Sequence, residues 1–287
     1  LVLMFRRLIV NCVLIILSLL LLALVMEFIV FRWVLIASDL PRLQQNDGGI
    51  LKYEAGQTGV YRKHDDIAAE FRINSNGWNS RHSSYFAKKT KGKAKICIIG
   101  DSYVEALQVD YDKSFAEVLE RELDPNRVDV YRFGLSGSPL SQYLYILEKE
   151  VINYQPEVVI INLVHNDFLE SVQSTGGTYD ASLAKYYSSG DGGLDIQEPA
   201  PYKRLPSWWI KNTATFRYLW VRKEMRLAKL RRLWINLFET KRDTPQYAGN
   251  ILVSQSSDER INEVVDYSFK RLAELRTKYG FQLVIVI

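Results

Sequence analysis

An α/β fold built on a doubly wound parallel sheet is what this sequence predicts, and three observations predict it. From residue 95 onward, short apolar runs rich in β-branched residues alternate with segments of helical periodicity. The first three of those runs each end in a cluster of small or polar residues. Upstream, a longer apolar run without such punctuation occupies the amino terminus. Alternation of strand and helix argues for βαβ units with right-handed crossovers, which place helices on both faces of a parallel sheet.

Strands are expected at 95–100, 128–133 and 158–163, with helices at 114–123 and 140–153 between them. Phe115, Val118, Leu119 and Leu123 fall on one face of the first helix, a core-facing stripe at helical spacing. A helix near 258–279 and a strand at 282–287 resume the pattern, so 169–257 is an insertion too long for an ordinary connection. The expected organisation is an anchor at 1–37, a linker and pre-domain hairpin at 38–94, and an α/β domain at 95–287 whose sheet is incomplete at the carboxyl end.

The anchor begins Phe5-Arg6-Arg7 and is then apolar from Leu8 to Met26, broken only by Asn11 and Ser18. Such a stretch rises about 28 Å as a helix, close to the thickness of a bilayer core. A cleaved signal peptide is the rival reading, but the run is longer than an ordinary signal core and no small-x-small cleavage site follows closely. Arg6 and Arg7 ahead of the span favour a cytoplasmic amino terminus, with the domain facing the periplasm or cell exterior of a bacterial inner membrane. Cys12 lies in the span and Cys97 in the first strand, so no disulfide is expected.

Between anchor and sheet, 38–62 is turn-rich and polar and reads as a linker or loose collar. In 71–82, Asn76-Gly77 between strand-like pieces suggests a tight turn that packs Trp78 on the domain. The basic run 88–95 reads as a solvated loop. The insertion, expected to be largely helical, opens with small and polar residues at 174–193 and turns basic and aromatic between Lys203 and Arg242. That stretch holds 12 Lys and Arg against two Glu, in a chain whose net charge is only +4. Leu227, Leu230, Trp234, Leu237 and Phe238 recur there at helical spacing among Arg226, Lys229, Arg231 and Arg232. A helical cap on the domain is expected, with contact to an anionic membrane surface as the alternative. Nucleic acid is not expected as a partner, since no binding motif is present.

The chemistry-bearing segments are the strand ends. The first strand stops at Gly100-Asp101-Ser102, placing a hydroxyl beyond the carboxyl end of a buried strand, where open α/β sheets bind ligands. After the second strand comes Phe133-Gly134-Leu135-Ser136-Gly137, and after the third His165-Asn166-Asp167. Together these three blocks resemble the SGNH (GDSL-type) hydrolases. That resemblance implies a flavodoxin-like sheet and makes Ser102 the nucleophile. It makes the N–H of Gly137 and the side chain of Asn166 oxyanion donors alongside the N–H of Ser102, and Asp101 the residue that shapes the first block. Glycine and amide donors suit this role because they must converge closely on a developing negative charge.

The family's fourth block, an Asp-x-x-His that supplies the general base, does not occur in the sequence. The three histidines, His64, His82 and His165, are not so placed, and solvated roles are expected for His64 and His82. The expectation is therefore a fragment whose catalytic His and Asp lie beyond residue 287. The function implied is a membrane-anchored serine esterase or O-acyltransferase acting on acylated cell-envelope glycans. The alternatives are a non-catalytic glycan-binding or scaffold relative, and a lipase or phospholipid esterase. No histidine pair has metal-ligand spacing, no phosphate-cradling glycine loop is visible, and no cofactor is expected.

Overall fold

The computed structural model describes residues 2–89, 91–172, 179–188, 193–203, 212–225 and 255–287. The Leu/Trp stripe expected at 227–238 lies outside these residues. In chain order the elements are α1 (Val2–Val25), prolonged by Met26–Val34, then β1 (Leu43–Gln45), β2 (Leu51–Tyr53), β3 (Thr58–Lys63), β4 (Ile67–Arg72), β5 (Ala94–Gly100) and α2 (Ser102–Glu105). They continue with α3 (Phe115–Glu122), β6 (Val128–Gly134), α4 (Leu140–Lys149), β7 (Val158–Asn162), α5 (Asp167–Glu170), β8 (Lys185–Ser188) and β9 (Leu194–Gln197). Last come α6 (Ala214–Phe216), prolonged by Arg217–Arg222, then α7 (Gln255–Tyr279) and β10 (Gln282–Val286).

The chain forms two compact units. The described residues of Leu1–Leu40, Val60–Ala68 and Arg204–Arg242 make one; those of Pro41–Gly59, Ala69–Lys203 and Asp243–Ile287 make the other.

The second unit is the α/β domain. Its main sheet has the order β10-β7-β5-β6 with every pair parallel. Counted along the chain, the first of these strands lies between the second and third, which is the flavodoxin-like doubly wound order. Period-2 alternation in β5 sends Ile96 and Ile98 to one face and Cys97 and Ile99 to the other. The Cys97 face carries the larger core, with Tyr131, Phe133, Val159 and Ile161 from neighbouring strands covered by Tyr143, Leu144 and Leu147 of α4 and Leu272 and Leu275 of α7. Burial pushes the Cys97 thiol well above its usual range, and the chain has no disulfide.

On the opposite face α3 is turned around relative to its sequence pattern. Of the four residues expected to face the core, Leu119 packs against it, whereas Phe115, Val118 and Leu123 are exposed and Ala116, Glu117 and Glu120 are buried in their place. The cause is Arg132 in the middle of β6, which is 1% exposed and needs a counter-ion on that face. Its Nε lies 3.3 Å from Glu117. Glu120 accepts the Val130 N–H at 2.9 Å and pairs with Arg81 and, at 2.7 Å, with His82. Burial works against its ionisation, yet the bonds from His82 and Val130 hold its pKa down at about 2.

Upstream segments are more ordered than their composition suggests. The 38–62 stretch holds the β1–β2 pair and most of β3, and Ser38 is fully buried. As expected, Asn74 and Gly77 close a tight turn, with the Gly77 N–H donating to the Asn74 carbonyl at 3.1 Å. Trp78 is wholly buried, packs edge-on against Phe133 and donates its indole N–H to Glu150 at 2.9 Å. The basic run is not uniformly solvated, because Lys95 is 2% exposed. Its ammonium donates to the carbonyls of Phe86 at 2.7 Å and Tyr154 at 2.8 Å, as a buried cation requires. In the described part of the insertion, β8 and β9 form an antiparallel hairpin ahead of the basic segment, and α6 supplies helix within it.

Candidate active site at the strand ends

The site is set by three strands that finish level. β5 pairs with β6 so that Gly100 stands opposite Gly134, and with β7 so that Ile99 stands opposite Ile161. Ser102, Gly137 and Asn166 all follow within a few residues of those ends, so they share the carboxyl edge of the sheet. The chain reverses winding direction between β5 and β7, and in doubly wound sheets the crevice at that switch is where ligands sit. Ser102 follows one of the two flanking strands and Asn166 the other.

Ser102 opens α2 and is half-buried. Asp101 caps this turn, its carboxylate accepting the Tyr103 N–H at 2.9 Å and its carbonyl the Glu105 N–H at 2.9 Å. Among the described residues the Ser102 hydroxyl has no hydrogen-bond partner. Beside it lies a cavity of about 500 Å³ lined by Ser102, Tyr103, Ala106, Val109, Lys113 and Phe115, among others. The outward turn of α3 brings Phe115 into that wall.

The two glycines after β6 have separate jobs. A Cβ on Gly134 would lie 2.1 Å from the Glu105 backbone nitrogen, so glycine lets the end of β6 press against α2. Gly137 has φ of +71°, a left-handed conformation that favours glycine. Its neighbour Ser136 is clamped. The Ser136 N–H donates to Glu105 at 3.1 Å, its hydroxyl donates to the same carboxylate, and its carbonyl accepts the Tyr179 hydroxyl. Tyr53 donates its hydroxyl to Glu105 as well. Burial raises the Glu105 pKa, and the donors from Ser136 and Tyr53 oppose that rise.

Glu105 is the residue that sequence reasoning missed. Its one local signal is an acidic side chain three places after Ser102 amid apolar neighbours. Glu105→Ala is expected to strand the Ser136 and Tyr53 donors and to lower stability by on the order of 3 kcal/mol. Glu105→Gln, which keeps one acceptor oxygen, should lose distinctly less. Urea unfolding of both variants checks this.

No family model and no curated protein matches the chain. Solved structures do match. The chain is similar to TesA at 24% identity over 29% of its length and 47% of that chain, with a TM-score of 0.25. It thus spans about half the length of TesA. AlinE4, an SGNH-hydrolase family esterase, aligns at 16% identity over 68% of this chain and 77% of that one, with a TM-score of 0.29. The acetyl xylan esterase AlAXEase aligns at 16% identity over 67% and 77%, with a TM-score of 0.27. At such scores the fold rests on the strand order and register already described. The chain is similar to SGNH hydrolases.

Beyond the end of β7 lies Asn166, with Asp167 behind it. Asn166 is half-buried and donates one amide N–H to Glu170 at 2.9 Å, leaving the second for another acceptor. Asp167 is fully buried and accepts the Val164 N–H at 2.8 Å and the Tyr143 hydroxyl at 3.0 Å, while its other oxygen has no partner among the described residues. Burial pushes its pKa up to about 7 from 3.8. Protonation of Asp167 therefore favours the folded state. Its contribution is complete below about pH 4 and is lost as pH rises through about 7. Thermal melting should show wild-type stability falling across that window relative to Asp167→Asn, which lacks the titration.

The histidines sit elsewhere or unengaged. His82 is committed to Glu120 and packs edge-on against Tyr131, rather than being simply solvated. His64 lies 3.5 Å from Glu224. His165 is exposed beside Asn166, and no hydrogen bond joins it to Ser102. Among the described residues no group of three or more His, Cys, Asp or Glu is placed to hold a metal ion.

Proposed function

We propose that this chain carries the nucleophile and oxyanion donors of a membrane-anchored SGNH-type serine esterase or O-acyltransferase acting on acylated cell-envelope glycans. The observation that supports it is the level ending of β5, β6 and β7, which gathers Ser102, Gly137 and Asn166 at the switch point of the sheet. In this reading the Ser102 Oγ attacks an ester carbonyl while its proton passes to a general base, and the carbonyl oxygen becomes an anion. The N–H groups of Ser102 and Gly137 and the free amide N–H of Asn166 donate to that anion. Collapse expels the alcohol and leaves an acyl-serine, which water or a sugar hydroxyl then cleaves. Glu105, through Ser136, holds the turn that aims the Gly137 N–H. The base is not assigned to His64, His82 or His165.

Among the described residues one helix, Met4–Val34, is long and apolar enough to cross a membrane. In this reading it is a single-pass anchor in a bacterial inner membrane, with Arg6 and Arg7 cytoplasmic and the α/β domain periplasmic or extracellular.

The experiment is covalent labelling of the intact protein by a serine-directed phosphonate. Labelling at Ser102, slowed in Asn166→Ala, is expected. A folded protein that takes no label would point to the non-catalytic glycan-binding or scaffold alternative. A second reading, a lipase or phospholipid esterase, is favoured by the apolar residues Tyr103, Val109 and Phe115 in the cavity beside Ser102. A series of esters of increasing acyl length separates the two, since preference for acetyl over long chains counts against the lipase.

A further inference from the structure

The first unit contains a second helix laid along the end of the apolar one. Glu27 accepts the backbone N–H groups of Ala214 at 2.8 Å and Thr215 at 2.9 Å, so it caps the start of α6. Farther along, the Phe31 and Tyr218 rings stack with centroids 4.8 Å apart. At the far end the Arg222 guanidinium donates to the carbonyls of Leu35 and, at 2.6 Å, Ile36, which closes the apolar helix. Glu27 with Ala214, Phe31 with Tyr218 and Leu35 with Arg222 are each 187 positions apart. The two helices therefore run parallel and in constant register over Met26–Val34. Both are wound more widely than an α-helix, with i→i+5 bonds from the Leu35 N–H to Val30 at 2.8 Å and from the Lys223 N–H to Tyr218 at 3.0 Å.

That register sets Trp220 level with Trp33. These two tryptophans are 41% and 77% exposed, and Phe28 and Ile29 just before Trp33 are more than half exposed as well. The apolar helix has 31 residues, which rise about 46 Å, well beyond a hydrocarbon core of about 30 Å. Glu27 and Arg32 mark the part that exceeds the core, because ionised groups are costly in hydrocarbon. With Leu8 to Met26 filling the core, Met26–Val34 and its partner helix fall in the headgroup layer. Tryptophan rings concentrate at that depth.

We propose that Met26–Val34 and Ala214–Arg222 form a two-helix foot seated in the lipid headgroup layer, with Trp33 and Trp220 as paired anchors at one depth. The inference rests on the reading that α1 spans a membrane. The contact is aromatic rather than basic. Arg32 pairs with Glu27 at 3.2 Å, Arg217 with Asp39 at 2.6 Å, and Arg222 and Lys223 share Asp65 at 3.2 and 2.7 Å, so each cation already has a carboxylate partner and about one net positive charge remains.

The test uses the full chain in a Cys12→Ala background, with Cys97 buried, reconstituted in phosphatidylcholine vesicles. An environment-sensitive fluorophore is attached in turn at Leu17→Cys, Trp33→Cys and Trp220→Cys, and quenched by lipids spin-labelled at shallow or deep acyl positions. Positions 33 and 220 should both be quenched at least twofold more by the shallow label, and position 17 more by the deep one. If position 220 responds to neither label while 33 does, the foot is not in the membrane and the proposal is overturned. Deep-label quenching at 33 and 220 overturns it too. If position 17 escapes both labels, the spanning reading itself fails. A Phe31→Cys/Tyr218→Cys pair should be bridged by a short bifunctional thiol reagent, and failure to cross-link would overturn the parallel pairing independently of the lipid.

Discussion

Ser102→Ala in the intact protein is expected to reduce acyl release by on the order of 10⁴-fold or more while leaving thermal melting unchanged. The hydroxyl is half-buried and has no hydrogen-bond partner among the described residues, so its loss leaves no buried group unsatisfied. Such a residue contributes little to folding, and in the proposed mechanism it is the group that becomes acylated. Asn166→Ala provides the graded companion. Loss of one oxyanion donor typically removes about 3–4 kcal/mol of transition-state stabilisation, a fall in kcat of roughly 10²- to 10³-fold. Steady-state kinetics on an activated acetyl ester measures both. An unchanged rate in Ser102→Ala would remove the serine from the chemistry and with it the proposed mechanism.

Gly134→Ala is expected to be the most destabilising single-methyl change in the domain, at about 3 kcal/mol or more. The new carbon would stand 2.1 Å from the Glu105 nitrogen, 2.5 Å from the Val104 carbonyl carbon and 2.7 Å from the Glu105 Cα. All three are backbone atoms, so no side-chain rotation relieves the clash, and α2 must move away from β6. Because Ser102 opens α2, the same shift displaces the proposed nucleophile, and activity should fall along with stability. Gly48→Ala serves as the control, since its nearest neighbour would be the Asn46 side-chain oxygen at an ordinary 3.5 Å. Urea midpoints of the two variants give the comparison.

The strand ends were legible because their signal is local. Ile-Cys-Ile-Ile ahead of Gly100-Asp101-Ser102 declares both a strand and its stop within a few residues, and the parallel order follows from the spacing of three such runs. The orientation of α3 was not legible from its own sequence. Its apolar stripe is real, but the charge on Arg132 of β6 overrides it, because an unpaired buried guanidinium costs more than exposing Phe115, Val118 and Leu123. The anomaly was present in the sequence as an arginine between Tyr131 and Phe133, in a strand whose other charged residue, Asp129, lies near its start. Glu105 escaped for a different reason. Its partners Tyr53 and Ser136 lie 52 and 31 positions away, and no periodicity connects them. Likewise nothing in the spacing of 214–222 hints that it pairs with the helix after Met26, since the contacts of Glu27 with Ala214 and of Arg222 with Leu35 span 187 positions.

The placement of β10 bears on how the domain folds and how it can diversify. β5, β6 and β7 are joined by short crossovers, whereas β10 meets β7 through Gln282 opposite Val158, and everything from residue 163 to 281 lies between them. Closing so long a loop is slow, so β10 is expected to dock after the first three strands have assembled. Yet the entropic cost of closure grows only logarithmically, by roughly 0.6 kcal/mol for each doubling of loop length. The interval between β7 and α7 is therefore the place where this fold can gain or lose whole segments at small thermodynamic cost, while the carboxyl ends of the first three strands, and the residues they carry, stay where they are.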